Sequence, residues 1–206
     1  MIRASAQRFA MLSAAIVFEL AWQPSAFAPQ SALSLPAPIA QASGMSGTLT
    51  SARRPIASPA GLSIPRIHLQ ASIVPVGVEP DGKLGVPSDP AETGWFSFSA
   101  PPGAEGTAII DGHRDTTAGP GAFWNLHRLS PGDGITVTDA AGQPHAFTVT
   151  AVKLYGVEGA PLEEIFGDAL PGRHLHLITC AGTWSKRLGH YDKRLVVFAE
   201  EGLGQR

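Results

Sequence analysis

The segment His174-Leu-His-Leu-Ile-Thr-Cys180 consists of apolar and β-prone residues and predicts a strand in the last third of the chain. Because side chains alternate between the two faces of a strand, Leu175 and Leu177 share one face and Cys180 lies on the other. We expect the leucine face to point into a core. Cys180 precedes Ala181 and a polar loop, so we expect it at the end of the strand.

Further short runs of this kind recur along the chain, separated by turns rich in Gly and Pro. They are Leu62–Ile67, Ala71–Val76, Gly106–Ile110, Ile135–Thr138, Ala146–Val152 and Leu195–Ala199. Only Ala122–Leu129 and Leu162–Phe166 have the pattern of helices, and both are short. The sequence therefore predicts a mainly β fold, a closed or partly closed β-barrel of about eight strands with short helices. Pro65 and Pro75 inside two of the runs indicate edges or bulges.

The amino terminus has the pattern of a targeting segment. Arg3 and Arg8 precede the apolar run Phe9–Phe18, which is typical of a secretory signal or a membrane anchor. We assign residues 1–28 to an uncleaved anchor, because Pro29 would hinder cleavage directly before it. The alternatives are a cleaved signal and an amphipathic helix that packs on the domain. The first two assignments put the rest of the chain outside the cytoplasm.

The remainder divides by composition and charge. Residues 29–61 are rich in Pro, Ser and Ala and predict a flexible linker. Residues 62–201 form the predicted catalytic domain, and residues 202–206 form a short tail. The domain holds ten Lys and Arg residues against sixteen Asp and Glu residues. This acidic balance argues against nucleic-acid binding, which requires clustered basic side chains.

Three residues of the domain could carry chemistry, although each has an ordinary structural alternative. Cys180 is the only cysteine, so it forms no internal disulfide and is either a buried core thiol or a reactive one. His113 follows an apolar strand and could act as a general acid or base, or be a solvated loop residue. Arg194 precedes the last strand and could bind an oxyanion, or be exposed at a strand edge. Asp115 could orient His113, but we favour a role in shaping the loop.

The other histidines do not predict a metal centre. His68, His127, His145 and His190 are interpreted as structural or surface residues. The pair His174-x-His176 could place two imidazoles on one strand face. A third and a fourth ligand are not close in sequence, so we predict no metal.

Taken together, these segments resemble the sortase family. The nucleophile motif of the family, Thr-Leu-x-Thr-Cys, is matched by Leu177, Thr179 and Cys180, whereas His176 stands where the family usually has threonine. The Gly-His pair that contains His113 matches the histidine motif. The segment ending in Arg194 matches the arginine motif, and the three motifs occur in the family's order.

The resemblance covers about residues 62–200, the whole predicted domain. Val86-Pro-Ser-Asp-Pro90 and Gly94-Trp-Phe96 are similar to elements of the class usually called F. The absence of acidic residues directly after Cys180 also fits that class. The acidic residues behind the calcium dependence of one branch of the family cannot be matched, so that property is not carried over.

The resemblance implies a cysteine transpeptidase without a cofactor. Cys180 would form a thioester with a peptide in a sorting signal, His113 would protonate the departing amine, and Arg194 would stabilise the oxyanion. Thr179 and Ala181 would support the substrate or the oxyanion. The implied partners are proteins with a carboxyl-terminal sorting signal and an amine acceptor in the cell wall or a pilin. The family typically keeps the thiol and the imidazole mostly neutral.

The sequence is also compatible with two other functions. A sortase-like endopeptidase would mainly hydrolyse its peptide, and adding an amine acceptor distinguishes it from a transpeptidase. A secreted β-barrel binding module would hold Cys180 merely as a core residue. A thiol that does not react with alkylating reagents in the folded protein would favour the binding module.

Overall fold

Ten strands and one short α-helix organise the part of the chain that the structure describes, residues 56–80, 82–167, 171–187 and 189–202 of a computed structural model. The α-helix α1 spans Leu162–Phe166. The strands are β1 Pro59–Ile64, β2 Leu69–Val76, β3 Thr93–Phe96, β4 Gly106–Gly112, β5 Asp115–Thr116, β6 Gly119–Pro120, β7 Gly134–Asp139, β8 Pro144–Gly156, β9 Arg173–Ser185 and β10 His190–Glu201.

Eight of these strands close into a barrel in the order β1-β2-β3-β4-β9-β10-β8-β7, and β5 and β6 form a separate two-stranded sheet. The pairs β2–β3 and β4–β9 are parallel, whereas the other barrel pairs are antiparallel. This architecture confirms the predicted mainly β barrel of about eight strands.

The alternation of side chains in β9 separates the inside of the barrel from its outer surface. Leu175 and Leu177 are fully buried in the main core cluster, which confirms the predicted inward face. Ile178 points the other way and packs with Ile109 of β4 and Ile165 of α1 in a second, smaller cluster. The helix α1 therefore covers the outer face of β4 and β9, and Cys180 lies on that same outer face.

Several boundaries differ from the sequence predictions. Cys180 is not at a strand end, because β9 continues to Ser185 by pairing with β10. The strand β1 ends at Ile64, since Pro65 opens a 3-10 helix, Pro65–Ile67. It begins at Pro59, within the segment predicted as linker. The short strand β3 was not among the predicted runs; it contains the Gly-Trp-Phe element.

The predicted helix Ala122–Leu129 is wrong in type. Only Leu126–Arg128 is helical, and it is a 3-10 helix. Backbone amides in this segment, including that of Leu126, bond to the carbonyl three residues earlier. Phe123 and Leu126 are fully buried. Anchoring both side chains in the core favours this tighter winding over a regular α-helix.

The predicted anchor at residues 1–28 and most of the linker and tail lie outside the described residues. Within the described ranges, no helix is long and apolar enough to cross a membrane.

Candidate active site

The strand register brings Cys180 opposite Arg194. The two residues are paired partners across β9 and β10, and Ala181 pairs with Lys193. The Cys180 side chain is only partly accessible. Its neighbour Ala181 packs against the core inside the barrel, as the alternation requires.

The surroundings of Cys180 favour the neutral thiol, although nearby charged groups shift its pKa in both directions. Burial is the largest cause and raises the pKa of the Cys180 thiol. The positive charge of Arg194 works against this increase, and that of Arg114 does so more weakly. The carboxylate of Asp115 raises the pKa further, and Asp111 does so when it is ionised. The reactive thiolate is therefore a minor form at neutral pH, and Arg194 is the strongest group that stabilises it.

His113 reaches the same end of the sheet from β4. It follows Gly112, the last residue of β4, and β4 runs parallel to β9. Its Nε2 lies 2.9 Å from the carbonyl oxygen of Pro87. Because a carbonyl can only accept, Nε2 carries the proton in this conformation. The His113 carbonyl accepts a hydrogen bond from the Phe123 amide at 2.9 Å, which fixes the backbone of the residue.

A single buried hydrogen bond links the strands of the thiol and the imidazole. The Thr179 hydroxyl donates to the carbonyl of Gly112 at 2.8 Å, and Thr179 is 4% exposed. The bond joins the residue before Cys180 to the residue before His113. Sequence analysis assigned Thr179 to substrate or oxyanion support; in the structure its hydroxyl is directed to this strand junction.

Arg194 is held by backbone carbonyls at the end of the β9–β10 hairpin. Its Nη1 donates to the carbonyl of Lys193 at 2.9 Å and to that of Tyr191 at 3.2 Å. A guanidinium has five N–H groups in a planar fork, so these two bonds use less than half of its donor capacity. The fork is thus oriented beside Cys180 with donor capacity for a developing oxyanion.

A stack of aromatic side chains borders the site, and sequence analysis did not identify it. The Arg114 guanidinium lies 5.5 Å from the ring of Trp124 and 4.9 Å from that of Tyr191. Tyr191 contacts Trp184 edge to face at 5.3 Å, and its hydroxyl donates to the Asp115 carboxylate at 2.8 Å. This bond raises the pKa of Tyr191. It also fits the loop-shaping role predicted for Asp115. The position of Arg114 next to His113 was the only available sequence signal.

His176, which replaces the usual threonine of the resembled motif, is structural. It is buried, and its Nδ1 donates to the carbonyl of Ile165 in α1 at 2.7 Å. The ring packs edge to face against Phe198 at 4.5 Å. Burial lowers the pKa of His176, so the ring is neutral and ties α1 to the outer face of β9.

The sequence and the fold are both similar to those of known proteins. A family model described as Sortase domain matches residues 62–202. Sortase A from Corynebacterium diphtheriae, a lid mutant, is 23% identical with a TM-score of 0.55; the match covers 73% of each chain. The SrtA sortase from Actinomyces oris is 28% identical with a TM-score of 0.53, over 71% of this chain and 81% of that chain. A comparison with curated proteins gives no match.

Proposed function

The chain belongs to the sortase family, and on that premise we propose that it is a cysteine transpeptidase acting through a thioester intermediate. The observation that carries the proposal is the strand register. Cys180 pairs with Arg194, and the parallel pairing of β4 with β9 brings His113 to the same end of the sheet. The thiol on β9, the imidazole directly after β4 and the guanidinium on β10 form a set of groups that can perform acyl transfer.

In the first half-reaction, the Cys180 thiolate attacks a peptide carbonyl in the sorting signal. A C–S bond forms, and the carbonyl oxygen takes up the negative charge. Collapse of this intermediate breaks the C–N bond, and the His113 imidazolium gives its proton to the departing amine. The products are a thioester on Cys180, a free amine and a neutral imidazole.

The oxyanion of the intermediate needs donors that are oriented before the reaction. Arg194 fits this role because its guanidinium is held by two backbone carbonyls and its residue is the strand partner of Cys180. Arg187 and Lys193, two basic residues near the hairpin, are the alternatives for this role. Thr179 supports the site through the bond to Gly112.

In the second half-reaction, an acceptor amine attacks the thioester carbonyl. The neutral His113 imidazole takes the proton that the amine loses, the C–S bond breaks, and the thiolate and imidazolium are restored. Water in place of the amine gives a carboxylate, which is the hydrolytic alternative. The proposed substrates are proteins with a carboxyl-terminal sorting signal, and the proposed acceptors are amines of the cell wall or of a pilin.

We also propose that the domain works outside the cytoplasm, held at the membrane by residues 1–28. The basic start and the apolar run support this assignment. Mass spectrometry of the mature amino terminus provides the test, because a protein that begins at Pro29 would exclude the anchor.

The transpeptidase proposal is tested with a peptide library and intact-mass detection of the protein. We expect an acyl adduct on Cys180 that disappears in Cys180→Ala, while the fold of that variant is unchanged. Adding a peptide with a free amino terminus should convert the adduct into a new amide. Turnover in the alanine variant would refute the role of the thiol. If the product remains a free carboxylate even with abundant amine, the reaction is hydrolysis and the transpeptidase proposal is wrong.

A further inference from the structure

Asp111 is a buried acid near the candidate site that the proposed mechanism does not use. It is the second-last residue of β4, two positions before His113, and it is 5% exposed. Within the described ranges its Oδ1 has no hydrogen-bond partner. Gly94 of β3 lies directly against this oxygen, since a Cβ added at Gly94 would lie 2.5 Å from it. The missing side chain of the glycine leaves space for the carboxyl group and for the methyl groups of Val76.

The physical chemistry of this pocket favours the protonated acid. A carboxylate here would lose its hydration, and burial without a compensating partner is costly for a charge. Burial accordingly raises the pKa of Asp111 to about 8, and only a hydrogen bond with its own backbone opposes the increase. At neutral pH the group is therefore a neutral carboxylic acid.

The position of Asp111 links it to the thiol. Asp111 is the strand partner of Ile178 on β9, and it shares the outer face of the sheet with Cys180. The ionised Asp111 raises the pKa of the Cys180 thiol, as Asp115 does, whereas Arg194 and Arg114 lower it. On the β3 side, the residue that contacts the carboxyl is a glycine.

We propose that Asp111 is a positioning residue of this site that works as a neutral carboxylic acid, and that its ionisation suppresses the nucleophile by placing a negative charge beside the Cys180 thiolate. The acid fills the space left by Gly94 and supports the end of β4 that carries His113. As the pH rises through the mildly alkaline range, Asp111 loses its proton, and its negative charge destabilises the Cys180 thiolate relative to the thiol. This inference rests on the proposed role of Cys180 as the nucleophile, but its test needs no peptide substrate.

The test is the rate of alkylation of Cys180 by iodoacetamide in the full chain, followed by intact mass from pH 5 to pH 10. Asp111→Asn keeps the shape of the side chain and cannot ionise. At pH 6 we expect the same rate in both proteins within about twofold. At pH 9 we expect the variant to react about three- to tenfold faster, because no ionised carboxylate at position 111 then opposes formation of the Cys180 thiolate. Alkylation curves that coincide over the whole range would overturn the proposal.

A second measurement uses the wild-type protein, so its result does not depend on whether the Asp111→Asn variant folds. Carboxyl resonances of ¹³C-labelled aspartate, recorded against pH, should include one group that titrates near pH 8. If every aspartate carboxyl of the chain titrates below pH 6, the neutral acid does not exist and the proposal falls. Both experiments are separate from the acyl-transfer assay, so failure of the transpeptidase function would be recognised independently.

Discussion

Asp111→Asn should change the pH dependence of stability in a way that the structure specifies. The ordinary pKa of 3.8 for this group is raised to about 8 in the folded protein. Between these values the folded state binds more protons than the unfolded state, so the free energy of unfolding falls as the pH rises. The asparagine variant has no ionisable group at this position and does not share that loss.

The size of the effect follows from linkage, because each pKa unit corresponds to about 1.4 kcal/mol. From pH 5 to pH 8, the wild-type protein should lose about 3 to 4 kcal/mol of stability relative to Asp111→Asn. The amide needs hydrogen-bond partners of its own, so the absolute difference at one pH is less informative than its slope. All other titrating groups are shared by the two proteins and cancel in the comparison.

The assay is urea unfolding of both proteins, followed by tryptophan fluorescence at pH 5, 6, 7 and 8. The exposed Asp89, whose carboxylate accepts the Ala91 amide at 2.9 Å, provides the matched control variant Asp89→Asn, which makes the same substitution outside the buried pocket. A difference between wild type and Asp111→Asn that stays within 1 kcal/mol over this range would refute the argument that the acid is neutral in the fold.

Three further outcomes are expected from the site and its supports. Arg194→Lys should lower kcat/KM by roughly 10²-fold or more, because an ammonium cannot reproduce the planar fork that holds an oxyanion. Unchanged turnover would show that another group stabilises the oxyanion. Thr179→Val should cost about 1 to 3 kcal/mol in urea unfolding, since it leaves the buried carbonyl of Gly112 without the donor now at 2.8 Å; equal midpoints for the two proteins would contradict this. Gly94→Ala should lower thermal stability by about 1 to 3 kcal/mol, because its Cβ would lie 2.5 Å from a buried oxygen, whereas Gly61→Ala, with nothing within 4 Å, should be tolerated.

Much of the fold was predictable because strand formation and burial follow local patterns. The alternation in His174–Cys180 correctly predicted which side chains face the core, since two successive residues of a strand cannot share a face. The lengths of β9 and β10 were not predictable. Their polar ends, including the stretch beyond Cys180, are strands only because they pair with each other. The predicted helix that contains Phe123 was wrong for a related reason. The burial of this side chain in the core, a tertiary contact, determines which type of helix the segment forms.

The barrel class and the candidates Cys180, His113 and Arg194 could be inferred from the sequence, because their motifs are local and their order along the chain is informative. Their environment depends on tertiary contacts. The fold pairs Cys180 with Arg194, buries Asp111 and so raises its pKa, and brings Arg114 over the rings of Trp124 and Tyr191. Burial and electrostatic interaction depend on distance in space, and only the closed barrel sets those distances.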